Sequence, residues 1–380
     1  MKPFDVYPLI DITPIKAEGY KLWDDQGNEY FDLYGGHAVI SIGHNHPHYL
    51  MRIKEQLEKI SFYSNSVQIP IQKELATLLG KLSGYEDYDL FLCSSGAEAN
   101  ENALKLASFE TNKAGFISFK GAFHGRTSGA VALTDNPKII APFNAAHQAH
   151  ILPMDLGVVE EVLKRKDIAG IIIEGIQGVA GIQVPGDGFL LGLQTLAKQY
   201  GAKLILDEVQ SGYGRTGKFF AHQWVEGLKP DLITVAKGMG NGFPIGGVLI
   251  SPDIPAKHGM LGTTFGGNHL ACVAAMAVLE VMDSEELTEN AHHLGLKLTD
   301  RLKAMEGVTQ VRGRGLMIGL DLEGEAAPIR SALIKDFRIF TGNAANKHTI
   351  RILPPLNISA SALDYFVESF EKALVLNKVV

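Results

Sequence analysis

The sequence predicts an α/β protein, with a mostly parallel central sheet in a large domain and a smaller α+β domain. Three observations carry this expectation. Between residues 89 and 250 the short apolar runs DLFLC, GFISF, GIIIE, KLILD, DLITV and GGVLI alternate with helix-length stretches. They show little internal alternation, as strands buried on both faces of a parallel sheet do. Beyond residue 270, helix patterns and strand patterns fall into separate runs, the arrangement of an α+β unit. A chain of 380 residues is also long enough to bury a large core and form two lobes. The expected division is an N-terminal segment, 1–45, packed with the small domain, then a large domain over 46–270 and the small domain over 271–380.

Taken in order, Tyr20 to Tyr34 alternates apolar and polar residues around the turn signal Gln26-Gly27-Asn28, which predicts a β-hairpin. His44, His46 and His48 follow at a spacing that would share one strand face. Gly43 and Pro47 instead predict a turn that splays them, and no acid or thiol accompanies them, so no metal is expected. Helices are expected at about 48–60 and 71–82, before the six apolar runs begin. After Gly267 the small-residue run LACVAAMAVLEVM predicts a helix, and Glu286 to Met305 a longer one. Val308 to Leu322 has the pattern of a hairpin, Thr349 to Ile358 of a strand, and Ser359 to Lys378 of a surface helix.

Composition excludes several classes of function. With 46% hydrophobic and 20% charged residues the chain has the balance of a soluble globular protein. Lys plus Arg number 35 against 42 Asp plus Glu, a net charge of -7, and no basic block could track a phosphate backbone. Nucleic acid is not an expected partner. The first residues carry prolines and acids where a signal peptide needs an apolar core, and no apolar run reaches membrane-spanning length. A cytoplasmic protein without a membrane partner is expected. Cys93 and Cys272 lie far apart and outside any CxxC pattern, which points to neither a disulfide framework nor a zinc site.

The chemistry is concentrated between Lys203 and Lys237. The strand KLILD closes on Asp207 and the strand candidate DLITVAK closes on Lys237. Ligands of open α/β sheets bind beyond the carboxyl ends of the strands, so this acid and this amine are placed to face one. Pyridoxal phosphate needs such a pair: its aldehyde condenses with a lysine, and its ring nitrogen stays protonated beside a carboxylate. An ion pair between neighbouring strands is the plainer alternative. Ser94, Ser95 and Gly96 stand between a strand and a helix that starts near Ala97, which makes a phosphate cup, while Ser95 and Glu98 could equally form a capping box. Phe123 and His124 could lie over a flat ring, and Arg126 could grip a carboxylate. Gly212, Gly214 and Gly217 spell GxGxxG, the sign of an NAD-dependent dehydrogenase. Here Asp207 to Ser211 separate the glycines from the strand and Asp231 begins its strand rather than ending it.

The segments SSGAEANENALKLA, AFHGRTSGA, LILDEVQSGYGRTGKFFA, AKGMGNGFPIGG and TTFGGNHLAC together resemble the class III pyridoxal-phosphate aminotransferases, over nearly the whole chain. The resemblance implies a fold type I enzyme that binds pyridoxal 5'-phosphate in its large domain, a homodimer with active sites at the subunit interface. It makes Lys237 the lysine that bonds the cofactor and Asp207 the partner of its ring nitrogen. Ser95, Gly96 and Ala97 would hold the phosphate, and Thr264 would reach the phosphate of the neighbouring subunit. Phe123 and Val209 would take opposite ring faces, Gln210 would approach the ring hydroxyl, and His124 and Glu174 would also border the cofactor. Arg126, Arg351, Tyr7 and His37 would meet the substrate.

The compact length is most similar to members acting on N-acylated ornithine, with 2-oxoglutarate as amino acceptor; free ornithine and 4-aminobutyrate are the alternatives. The chain departs from the family where EPIQGEGG is usual: it reads Glu174-Gly175-Ile176-Gln177-Gly178-Val179-Ala180-Gly181. Val179 replaces a glutamate that in relatives covers a carboxylate-binding arginine. Arg351 is therefore expected to stand uncovered, or beneath another acid.

Overall fold

The computed structural model describes residues 1–165 and 167–377. A hairpin comes first: strands β1 (Pro14–Glu18), β2 (Lys21–Asp24) and β3 (Glu29–Asp32) pair antiparallel, with Gly27 at φ +79° in the turn between the last two. Asp24 fixes that turn, because its carboxylate accepts from the amides of Gln26 and Asn28. Residues 1–13 form no strand or helix.

The large sheet has seven strands, β4 (Asp89–Cys93), β5 (Gly115–Phe119), β6 (Ala149–Leu152), β7 (Ile168–Glu174), β8 (Lys203–Asp207), β9 (Leu232–Val235) and β10 (Gly246–Ile250). Their order is β4-β10-β9-β8-β7-β5-β6. All run parallel except β10, which is antiparallel to both neighbours, so the α/β fold class with a mostly parallel sheet is found. The strand β6 was not anticipated. Its sequence AHIL is short and half-buried at the sheet edge, so the continuous apolar signal of the inner strands is missing.

Both faces of the sheet are covered, which is why its strands read as unbroken apolar runs. Ile172 and Ile205 face the helix Gly96–Thr111, whose Ala99, Ala103 and Ala107 let it approach closely. Ile171, Ile173, Leu204 and Leu206 point the other way, against the helices Leu156–Arg165 and Asp187–Tyr200. The helix His269–Ser284, with eleven buried residues, lies in a third and larger core shared with the C-terminal elements.

Those elements are β11 (Val308–Arg314), β12 (Met317–Leu322), β13 (Ile339–Phe340), β14 (Gly342–Asn343) and β15 (Thr349–Ile352), with the helices Leu287–Lys303, Ala326–Asp336 and Ala360–Asn377. The expected hairpin is β11–β12, and β15 joins it antiparallel. The last helix ends at Asn377; Lys378 lies outside the described residues. The short β13 pairs parallel with β3, which places the N-terminal hairpin in one sheet with this part of the chain. The three histidines do diverge. His44 meets Asp32 at 2.9 Å, His46 meets Glu285 at 2.8 Å and His48 meets Glu280 at 2.5 Å.

Candidate active site

Five strand ends converge on one cleft of about 390 Å³ at the carboxyl edge of the large sheet. The site begins at β4, which runs through Ser94 into the helix Gly96–Thr111. Ser95 is the N-cap: its hydroxyl accepts from the amide of Glu98 at 3.2 Å. Glu98 reaches back, but its carboxylate accepts from Ser94 N–H at 2.6 Å, one residue before the cap, so the capping box is displaced by one residue. The amides of Gly96 and Ala97 stay without helical partners at the positive end of the helix. Gly96 is required there, because a Cβ would stand 2.6 Å from Val209.

At the ends of β7 and β8, Glu174 and Asp207 face each other in register. Asp207 is 4% exposed, and every bond it accepts positions it. Oδ2 takes Nδ2 of Asn100 and Nδ1 of His124, each at 2.8 Å, and Oδ1 takes Val209 N–H at 3.0 Å. Asn100 is oriented in turn by Thr234, whose hydroxyl donates to Oδ1 of Asn100 at 2.7 Å. Glu174 accepts from the amides of Phe123 and Gly178, and burial pushes its carboxyl up to about 7, with the Asp207 charge adding to the effect.

Lys237 follows β9 and opens a short 3₁₀ turn, Lys237–Met239, with φ at +46°. A non-glycine residue in that region is strained, and such strain collects at functional sites. Burial lowers the pKa of its amine, the charges of Asp207 and Glu174 work against that, and Arg351 adds to it. The amine makes no hydrogen bond or salt bridge among the described residues.

Of the residues expected to carry chemistry, the cleft is lined by Ser95, Gly96, Ala97, Phe123, His124, Arg126, Glu174, Asp207, Val209, Gln210 and Lys237. His124 is a correction in role. Its ring is buried and bonded to Asp207 instead of lying free over the cleft, because β5 and β8 bring its loop behind that carboxylate. Its Nε2 is buried without a partner among the described residues. Arg126 is exposed at the mouth, and Thr264 is exposed on a loop outside the cleft lining. Tyr7 stands apart from this chain's cleft. It is 73% exposed within residues 1–13 and is not among the residues that line this chain's cleft.

Arg351 corrects a second expectation. It is buried against the Gly178 carbonyl next to Val179, close enough to Lys237 for its charge to act there, and among the described residues it is neither uncovered nor paired with an acid. Its Nη2 donates to the Tyr34 hydroxyl at 3.1 Å and its Nη1 to the Gly178 carbonyl at 3.2 Å. Tyr34 also meets Nδ1 of His37 at 2.5 Å, and the His37 carbonyl accepts from Gln210 at 3.0 Å. The GxGxxG glycines serve packing: a Cβ on Gly214 would meet Thr288 at 2.7 Å, and one on Gly217 would meet His292 at 2.8 Å.

Sequence reasoning missed Asn100, Thr234 and Tyr34. Asn100 had a signal, as the one amide among the alanines on the buried stripe of its helix. Thr234 and Tyr34 had none, because pairing across strands and lobes brings them in.

The donor set suits pyridoxal phosphate. Two free amides at a helix start suit a phosphate, a buried carboxylate suits the ring nitrogen, an unpaired amine suits the aldehyde, and Phe123 and Val209 offer apolar surface for a flat ring.

The family model for class III aminotransferases matches residues 5–374. The acetylornithine aminotransferase of Methanopyrus kandleri is 38% identical over 97% of this chain and 96% of its own length. That of Methanothermobacter thermautotrophicus is 40% identical over 93% of this chain and 91% of its own. Among solved structures, an ornithine aminotransferase from Toxoplasma gondii, reported with partial occupancy of PLP at its active site, has a TM-score of 0.90 at 28% identity. It covers 98% of this chain, which in turn covers 91% of it. The enzymes of this family depend on pyridoxal 5'-phosphate, and the chain belongs to the class III aminotransferases.

Proposed function

We propose that this aminotransferase moves the terminal amino group of an N-acylated ornithine, acetyl or succinyl, to 2-oxoglutarate, as a cytoplasmic homodimer in arginine metabolism. The observation that carries the reading is the identity of 38% and 40%, over nearly full length, to two acetylornithine aminotransferases. Free ornithine is the second reading, favoured by the fold similarity to the Toxoplasma ornithine aminotransferase at the lower identity of 28%.

Pyridoxal 5'-phosphate supplies an aldehyde that takes up the amino group and a ring that holds the electron pair released at the substrate carbon. Ser95, Gly96 and Ala97 would hold its phosphate through the helix start, and Asp207 would keep its ring nitrogen protonated. Phe123 and Val209 would fix the ring plane, and Gln210 would approach the ring hydroxyl. His124 and Asn100 act through Asp207 by fixing its oxygens. Lys237 would hold the cofactor through its amine, and that amine, when free, would take a proton from the substrate carbon. The lowered pKa supports that role, since it raises the fraction of neutral amine available as base. Arg126 and Arg351 anchor the two carboxylates of 2-oxoglutarate. Thr264, exposed here, faces the phosphate of the second subunit, and Tyr7 reaches the substrate of that subunit.

Specificity constants for acetylornithine, succinylornithine, ornithine and 4-aminobutyrate, measured in the first half-reaction, test the assignment. One of the two acylated donors should exceed ornithine by at least about tenfold, the discrimination that a single well-filled pocket supplies. Parity with ornithine would favour the second reading.

A further inference from the structure

Arg351 is a buried cation, 4% exposed, that makes no salt bridge among the described residues. Three neutral acceptors hold it: the Asn343 carbonyl on Nε at 2.5 Å, the Gly178 carbonyl on Nη1 at 3.2 Å and the Tyr34 hydroxyl on Nη2 at 3.1 Å. Two of these cannot leave without breaking main-chain structure. Asn343 is paired in β14 with Ile350, and the Gly178 carbonyl closes the turn to Gly181. Only the tyrosine oxygen can move by side-chain rotation.

That hydroxyl has a second partner already in place. A guanidinium only donates, so the phenol oxygen accepts from Arg351 and its hydrogen goes to Nδ1 of His37, 2.5 Å away. The imidazole must then accept at Nδ1, in keeping with a pKa lowered by burial, by Arg351 and by Lys237.

The backbone holds His37 there against its own preference. Gly35, Gly36, His37 and Ala38 have φ of 56°, 54°, 69° and 63°, a left-handed turn closed by Ala38 N–H on the Tyr34 carbonyl at 2.9 Å. Left-handed geometry is unfavourable for a non-glycine residue, and it persists where the surroundings over-determine it. Gln210, a cleft residue, supplies part of that restraint through the His37 carbonyl.

We propose that Tyr34 is a specificity-determining residue: its hydroxyl covers Nη2 of Arg351 until a substrate carboxylate displaces it, and His37 keeps the displaced hydroxyl. The inference rests on the reading that Arg351 anchors a carboxylate. A cover that is neutral gives way to an anion more readily than a carboxylate cover would, because a charge-assisted bond replaces a neutral one. Dicarboxylates, glutamate among the donors and 2-oxoglutarate among the acceptors, are the substrate class this arrangement admits.

Glutarate, a dicarboxylate with no amino or keto group, is the probe. Its binding to the holoenzyme is read from the cofactor absorbance, beside the glutamate half-reaction by stopped flow. Tyr34→Phe removes the competing acceptor, so glutarate should bind about three- to tenfold tighter and the glutamate half-reaction should gain similarly in kcat/KM. His37→Gly suits the left-handed backbone but strands the displaced hydroxyl, so glutarate should bind about three- to tenfold weaker. Equal or weaker binding in Tyr34→Phe, or unchanged or tighter binding in His37→Gly, overturns the proposal. Arg351→Lys separates the two levels. If it leaves glutarate affinity intact, Arg351 is no anchor and the underlying reading fails. If it weakens glutarate while Tyr34→Phe changes nothing, the anchor stands and the cover falls.

Discussion

Both oxygens of Asp207 are already engaged by donors, and this makes Asp207→Asn more disruptive than its shape suggests. The new amide has one acceptor oxygen, and Asn100 and His124 both donate to the Oδ2 side, so the oxygen must stay there. The NH2 group then stands against Val209 N–H, donor to donor, and presents hydrogens where the ring nitrogen needs an acceptor. The variant should keep its fold and lose on the order of a thousandfold in kcat, with KM changed far less, as expected when a charge used mainly in the transition state is removed. Unchanged single-turnover rates would exclude Asp207 from the chemistry. Glu174 carries a separate consequence for pH. Its carboxyl is raised from 4.5 to about 7 in the fold, mainly by burial, so the folded chain binds an extra proton between those values. Stability should therefore fall as pH rises from about 4.5 to 7, by on the order of 3 kcal/mol from this group, and level off above it. Glu174→Gln has no such proton to lose. The difference in apparent Tm between variant and native enzyme should grow across that window and stay flat above pH 7; a constant difference would refute the assignment.

The helix Gly96–Thr111 joins three parts of the site, since its first turn offers free amides and its Asn100 links Thr234 on β9 to Asp207 on β8. Asn100→Leu should leave the Thr234 hydroxyl and one lone pair of Asp207 without partners in a buried place, a cost of about 1–3 kcal/mol. The same variant should change the circular dichroism of the bound cofactor, whereas a purely structural loss would lower Tm and leave that signal alone. Elements of this kind are legible in sequence as far as their signals are local. The cap at Ser95, the hairpin turn at Gly27 and the inner strands were all readable, because a capping hydroxyl, a turn glycine and doubly buried apolar runs act within a few residues. The helix Ala326–Asp336 was not, for Pro328 in its first turn imitates a turn signal and its apolar face is weak. The two-residue strands β13 and β14 exist only through their partners β3 and β15, so nothing within them marks them. The left-handed turn at Gly35 is half visible: two glycines permit it, but His37 and Ala38 adopt it under tertiary restraint.

At the scale of the molecule, sheet order is what periodicity could not supply. That β10 inserts between β4 and β9, and runs against both, brings Ser95 and Lys237 to one cleft, and no run of residues announces it. The same scale holds what one chain leaves unfinished. Thr264 and Tyr7 are exposed, and beside them Phe265 is 64% exposed and Phe4 89% exposed, a cost in water that a second copy would remove. In the proposed homodimer, a two-fold interface carrying Thr264 of one subunit to the cleft of the other would make each site a product of two chains. Complementation tests this directly. Thr264→Asp should place a negative charge against the phosphate and disable every site of its own dimer, while Lys237→Ala disables every site of its dimer by removing the base. When the two variants are mixed and the subunits exchanged, half the dimers are mixed. In each of these, one site combines an intact Lys237 from the first chain with an intact Thr264 from the second. Activity should rise from near zero to about a quarter of the native value as exchange proceeds, and sedimentation should show dimers throughout. If both residues served the same site within one chain, exchange would restore nothing, and Thr264 would have to be reassigned to its own subunit.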